Sequence, residues 1–387
     1  MISSQVTNLK GSSTARFLKL AKDREAEGHH IIHLEIGQPD FQPLSQIIDA
    51  TVQAIYDGKT DYTVSSGIPE LREAISQAYI EDFRIDIDPQ TEIKITTGAK
   101  LGIFSVIFSI LDEGDSLLVP EPYWVSYPDM TQLARGKFVS IPMKDDFRLN
   151  QNAILEAISG NNVKSILINS PNNPSGHVLS TEEMRFLKDL VVDNNLFIIS
   201  DEIYNDYVYI DTSIKTLLTE FNDWRDNIIV INGFSKTFSM TGYRLGYTIS
   251  NSSIASGILK ILQASTSCPA NFCQWAGIAA LKEREKAREI INTIFPKRRQ
   301  VLLEEIQKTD GISLTSIDGA FYGFLKYDFT NKPSEEVAED LLRNANVCVI
   351  PGTAFGVSTE GYLRVTFSRS EEEIREGFKR IRDYLRH

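Results

Sequence analysis

The segment Gly233–Gly246 reads GFSKTFSMTGYRLG and follows an apolar run, NIIVIN, at Asn227–Asn232. Lys236 therefore stands just past what reads as a buried strand, between Ser235 and Thr237, with Arg244 eight residues on. A solvated lysine needs no such setting. An amine there can condense with an aldehyde, and an arginine beside it can grip an anion. Other apolar runs also end in reactive or polar groups. Gly98, Ala99 and Lys100 follow EIKITT, Trp124 follows DSLLVPEPY, Asn173 follows VKSILINSPN, and Asp201 and Tyr204 close LFIISDEIY. The set holds an amine, a carboxylate, a phenol, a carboxamide, an aromatic plate and a guanidinium.

One fold-level rule would bring these residues together. Strand-like runs alternate with helix-length segments such as AKLGIFSVIFSIL and STEEMRFLKDLVVDNN, the latter opened by a capping box at Ser180 and Glu183. That alternation predicts an α/β fold, with a mostly parallel sheet covered by helices on both faces. Ligands in such sheets bind outside the carboxyl ends of the strands. The final hundred residues mix charged helices with short strands (FYGFLKY, NVCVIPG, YLRVTFS), the pattern of a smaller α+β domain. The predicted division is an N-terminal segment, 1–45, docking on the small domain; a large domain, 46–284; and a small C-terminal domain, 285–387. A length of 387 residues fits two lobes.

Composition narrows the function. A formal net charge of −12 disfavours nucleic acid as the main partner, since phosphate backbones need a basic face. Three cysteines with no C-x-x-C suggest neither a disulfide framework nor a zinc knuckle, and fit a reducing compartment. The N-terminal MISSQVTNLKGSSTARF lacks the apolar core of a signal peptide, and no apolar run reaches membrane-spanning length. A soluble, cytoplasmic protein is expected. His29, His30 and His33 lie in a charged, loop-like region where no metal site is expected, and neither a P-loop nor G-x-G-x-x-G occurs. The chemistry at the strand ends points instead to pyridoxal 5′-phosphate. That cofactor uses a lysine amine for its aldehyde and an acid for its ring nitrogen. A glycine-bearing helix start can hold its phosphate.

The motifs carry a resemblance. GQPDF (37–41), DYTVSSGIPELREAI (61–75), EPYWVSYP, SPNNPSG, SDEIY, GFSKTFSMTGYRLG and YLRVTFS occur in the order found in class I aminotransferases of fold type I, in the aspartate and aromatic aminotransferase branch. The resemblance implies the site role by role. Lys236 would carry the cofactor as an aldimine and shuttle the α-proton, Asp201 would pair with the ring nitrogen, and Tyr204 and Asn173 would contact the ring hydroxyl. Trp124 would stack on the ring. Arg244, Ser235 and the turn at Gly98, Ala99 and Lys100 would hold the phosphate, joined by Tyr62 from a neighbouring subunit of a homodimer. Arg364 would fork onto the substrate carboxylate, with Gly37, Trp124 and Asn173 also facing the substrate.

The implied reaction moves an amino group from an L-amino acid to a 2-oxo acid by a ping-pong course. A β-lyase or other α-carbon chemistry on the same scaffold stays open at this point, as does a cofactor-binding sensor domain. Phe17, Tyr62, Trp124 and Tyr127 could favour an aromatic or bulky substrate side chain, and no second arginine for a distal carboxylate is evident.

Overall fold

A computed structural model of the chain describes residues 2–210, 216–221 and 223–386. Its centre is a seven-stranded sheet in the order Ile93–Thr96, Gly246–Ile249, Ile228–Gly233, Phe197–Asp201, Val163–Asn169, Ser116–Glu121, Lys137–Pro142. All are parallel except Gly246–Ile249, which runs against both neighbours. The inner strands Ser116–Glu121 and Ile228–Gly233 are buried along their whole length. Helices cover both faces, so these strands read as continuous apolar runs rather than alternating ones.

Two strands gave no such signal. Lys137–Pro142 lies at the sheet edge and is mostly half-exposed, so it carries polar residues. Gly246–Ile249 is four residues long and directly follows the Lys236 loop. Its reversed direction makes that loop a return between antiparallel neighbours.

The second, smaller sheet is antiparallel, in the order Ile350–Pro351, Tyr362–Thr366, Tyr322–Tyr327, Ile312–Ser313. The N-terminal strand Ile32–His33 pairs with Val347–Cys348 beside it. Phe17, Leu34, Phe324 and Phe355 are buried in one apolar cluster around this sheet. Phe17 was expected near the substrate. It is fully buried there because its helix, Ser13–Ala26, turns its apolar face to the small sheet. The helix Arg284–Gln307 joins the two cores: Ala287 packs in the large one, Ile291 and Phe295 in the small.

The capping box at Ser180 forms as read. Glu183 does more than cap. It also accepts from Leu149 N at 2.8 Å and meets His177 Nε2 at 3.1 Å, which anchors the loop carrying Asn173. Burial alone would raise its pKa. The bond and charge of His177, with the N–H groups of Leu149 and Ser180, outweigh burial and hold it at about 2. Glu183→Ala should lower the urea unfolding free energy by about 2–4 kcal/mol, and Glu183→Gln by less, since the amide keeps an acceptor. A loss in Glu183→Ala below about 1 kcal/mol would mean that these bonds barely contribute.

Candidate active site

The carboxyl ends of the large-sheet strands open onto a cavity of about 370 Å³, closed on its far side by the small sheet. Lys236 lines it from the loop after Ile228–Gly233. Its Nζ donates to the carbonyl of Gly37 at 2.6 Å and stands 5.6 Å from the Tyr204 ring centre. Burial lowers its pKa to about 8, with help from the positive charges of Arg364 and Arg244; Asp201 opposes the shift. Gly37 has no room for a side chain, because a Cβ would run into Tyr322 Oη.

Asp201 ends the neighbouring strand and is 4% exposed. Tyr127 Oη donates to its Oδ2 at 2.7 Å, and Ile203 N reaches Oδ1 at 3.3 Å. These bonds, with Lys236, do not offset burial, which pushes the carboxyl up to about 6. Tyr204 Oη shares a hydrogen bond of 2.9 Å with Tyr322 Oη, and burial raises both phenols. Arg364, central in the small sheet, is 3% exposed. Its Nη1 donates to Asn173 Oδ1 at 3.1 Å and its Nη2 to the carbonyl of Glu35 at 2.6 Å, while its Nε is buried without a partner. The ring centres of Tyr322 and Phe355 lie 4.7 and 5.1 Å from the guanidinium carbon.

The other end of the cavity is built for an anion. The helix Gly98–Ile110 starts there, and Ala99, Lys100, Ser235 and Arg244 line the wall. Gly98 adopts φ +78°, a conformation that favours glycine, and a Cβ on it would lie 2.6 Å from Arg244 Nη2. Arg244 and the helix start can thus approach each other. Lys100 Nζ stands 5.2 Å from the Trp124 ring centre, and its pKa is lowered by burial and by Arg244.

The residues named from the sequence are thus grouped: Lys236, Asp201, Tyr204, Asn173, Trp124, Ser235, Arg244, Arg364, Gly37, Ala99 and Lys100 share one cavity, with Gly98 directly behind Arg244. Tyr62 does not join them. It is 90% exposed, away from its own subunit's cavity. Tyr127 is corrected from a candidate substrate contact to a fully buried donor to Asp201. Three contributors escaped sequence reading. Tyr322 lies 118 residues from the tyrosine it meets, and no local pattern marks it. Ser12 and Thr14 also line the cavity from the start of a helix that reads as surface.

Comparison with known proteins identifies the family. The family model described as "Aminotransferase class I and II" matches residues 29–381. A protein of Aquifex aeolicus named "Probable aspartate/prephenate aminotransferase" is 36% identical, over 99% of this chain and 98% of its own length. A "(5-formylfuran-3-yl)methyl phosphate transaminase" of Methanocaldococcus jannaschii is 37% identical, over the full length of both. The structure of aspartate aminotransferase from Thermus thermophilus with maleate superposes with a TM-score of 0.93 at 30% identity, covering 99% of each chain. The chain belongs to the class I and II aminotransferases and is a transaminase of fold type I.

Proposed function

We propose that this aminotransferase holds pyridoxal 5′-phosphate in the cavity around Lys236 and takes amino groups from an acidic donor such as aspartate. The observation that carries the reading is that Lys236, Asp201 and Arg364 line one cavity. Their chemistry suits the cofactor and substrate together. The unpartnered Arg364 Nε belongs to a fork that can take a carboxylate. Asp201, raised to about 6, gains from a cation at a ring nitrogen. The helix start at Gly98, with Arg244, suits a phosphate.

When bound, pyridoxal 5′-phosphate supplies an aldehyde for an amine and a ring that takes up the electron pair left at the substrate α-carbon. The chain's residues do the rest. Asp201 would keep a proton on the ring nitrogen, with Tyr127 orienting Asp201. Tyr204 and Asn173 would serve the ring hydroxyl, and Trp124 would cover the ring. Ser235, Arg244 and the N–H groups of Gly98, Ala99 and Lys100 would hold the phosphate. Lys236, near 8, is in part a free amine at neutral pH, so it can take the α-proton and return it. Arg364 forks onto the α-carboxylate while Gly37 lies along the substrate, which fixes the bond to be broken. The amino group then passes to a 2-oxo acid by the reverse course.

Ser12, Thr14 and Lys100 line the same cavity, and their donors favour a polar or anionic side chain over a bulky apolar one. The names of the Aquifex and Thermus relatives support aspartate. The Methanocaldococcus transaminase, at similar identity, is named for a formylfuran phosphate instead, so the cavity lining carries more weight than the identity.

The working unit in this reading is a homodimer. Tyr62 at 90% and Val64 at 57% exposure crown a loop, and the helix Ser45–Tyr56 leaves Ile48, Val52, Ile55 and Tyr56 uncovered. A second cavity of about 540 Å³, lined by Leu101, Phe104, Met130 and Leu133, shares Lys100 and Arg244 with the first. The proposed occupant is a second copy of the chain, which would carry Tyr62 to the phosphate end. Free thiols at Cys268, Cys273 and Cys348 suit a reducing, cytoplasmic setting. Among the described residues no helix is long and apolar enough to cross a membrane.

Borohydride should fix the cofactor to Lys236, and a screen of donors against 2-oxoglutarate, pyruvate and oxaloacetate should rank aspartate first. Label on another lysine, or ammonia release that needs no 2-oxo acid, would defeat the reading.

Asp201 has a signature in stability. Its folded pKa of about 6 exceeds the 3.8 of an ordinary Asp, so the native state holds a proton that the unfolded chain has already lost. In protein stripped of cofactor, its contribution to stability therefore falls as pH rises from 3.8 to about 6. Asp201→Asn should lack that slope and gain on the wild type by at most about 3 kcal/mol between pH 4 and 7. Parallel urea-unfolding curves for the two proteins across that range would contradict it.

Shared sites can be tested by mixing Lys236→Ala chains with chains whose Tyr62 is replaced by a residue that severely weakens cofactor binding. One site of each hybrid then holds an intact lysine and an intact tyrosine, and activity should appear that neither parent has. Verified hybrids no more active than the parents, or an active monomer, would end the proposal of shared sites.

A further inference from the structure

The helix Arg284–Gln307 reaches the lysine from two directions without lining its cavity. At its start, Arg288 Nε donates to Asp206 Oδ1 at 2.9 Å, and Asp206 Oδ2 accepts from Thr237 Oγ1 at 2.5 Å. Thr237 is the residue after Lys236. Asp206 lies two residues past Tyr204, and the adjacent Tyr207 Oη donates to the Lys236 carbonyl at 2.9 Å. Arg288 also donates to Asp82 on the helix Pro69–Phe83, which ties the start of the long helix to the large lobe. The Arg288 and Asp206 side chains are only 16% and 10% exposed.

Ten residues further along, Arg298 holds Asp40 with both arms, at 2.7 and 2.8 Å. Asp40 lies three residues from Gly37, whose carbonyl receives the Lys236 ammonium. Ten helical residues span about 15 Å. Pro296 removes one donor between the two arginines, and the helix continues through it to Gln307.

We infer that this helix is a two-ended brace, which sets through Arg288–Asp206–Thr237 and through Arg298–Asp40 where the Lys236 amine stands against the Gly37 carbonyl. Thr237, Asp206 and Arg298 are then positioning residues that touch neither substrate nor cofactor. One arm fixes the backbone that carries the amine. The other fixes the backbone that receives it. Arg288 meets Asp82 and Asp206 in a largely buried setting, where paired charges are costly to separate, and Arg298 grips the more exposed Asp40 through a two-armed fork that fixes geometry. The inference rests on Lys236 as the cofactor lysine proposed above.

The amine's setting gives a readout independent of turnover. Lys236 faces the positive Arg364 and Arg244, the Asp201 carboxylate, the Gly37 carbonyl and the rings of Tyr204 and Phe321. An amine released from that place meets more water, and its pKa climbs from about 8 toward the 10.5 of a solvated lysine.

The test follows acylation of Lys236 against pH by mass spectrometry, on full-length protein stripped of cofactor, beside steady-state kinetics of the holoenzyme. Thr237→Val keeps the shape and removes the hydroxyl. It should raise the midpoint of acylation and lower kcat about tenfold, with KM for the amino donor within about twofold. Arg298→Gln should move both in the same direction, and Thr237→Ser should restore both. Wild-type midpoint and turnover in Thr237→Val or in Arg298→Gln overturn the brace, and so does a Thr237→Ser protein that behaves like Thr237→Val. The midpoint is read without cofactor. Borohydride label on another lysine would thus sink the reading of Lys236 while leaving the brace to be judged by the midpoint.

Discussion

The structure turns on one contact, the Lys236 ammonium against the Gly37 carbonyl, and on the charges around it. Two cations, Lys236 and Arg364, and the Asp201 carboxyl stand out of water in one cavity, and Arg364 Nε there has no partner. Each such group is costly to bury unless backbone or side-chain dipoles replace the lost water. Much of the replacement comes from one stretch, Glu35 to Gly37. Glu35 lends its carbonyl to Arg364 and Gly37 lends its own to Lys236. That stretch must therefore be held stiffly. Leu34 N donates to Cys348 O at 3.0 Å and Leu34 O accepts from Thr366 N at 2.7 Å, which locks its start to the small lobe. Ser368 Oγ takes the Gln38 carbonyl at 2.8 Å, which locks its end. The pairing of Ile32–His33 with Val347–Cys348 looks minor as a sheet, yet it delivers these carbonyls to the site.

What could be read in the chain follows from the same physics. Strands buried on both faces write themselves as apolar runs, and the rule that ligands meet strand ends turns each following polar residue into a candidate. Asp201, Asn173 and Lys236 were legible for that reason. Tyr127 was not: beside Trp124 it reads as a wall for a bulky substrate, and only the fold shows its hydroxyl on Asp201. Tyr322 was out of reach, since its partners Tyr204 and Arg364 come from other parts of the chain. Phe17 misled in the opposite sense. An aromatic near the N-terminus is equally consistent with a substrate wall and with a core, and the small sheet claims it. The edge strand Lys137–Pro142 and the reversed strand Gly246–Ile249 were missed because partial exposure and shortness remove the apolar signature.

The division of labour between the two sheets has a consequence for how such a site can change. The groups proposed to handle the cofactor stand at strand ends of the large sheet or in the loops between them, where buried backbone on both sides limits their movement. The proposed carboxylate fork, Arg364, comes from the centre of the small sheet and packs against two aromatic rings. Ser12 and Thr14 come from the entry to the helix Ser13–Ala26, outside both sheets. A substitution there changes a wall of the cavity without disturbing a strand end or the fork. Transaminases of about equal similarity to this chain but with differently named substrates are what such an arrangement permits. In the proposed reading the chemistry is tied to the two sheets, and the choice of substrate side chain to a segment outside them, where Thr14 can change without touching the Ser12 cap of its helix.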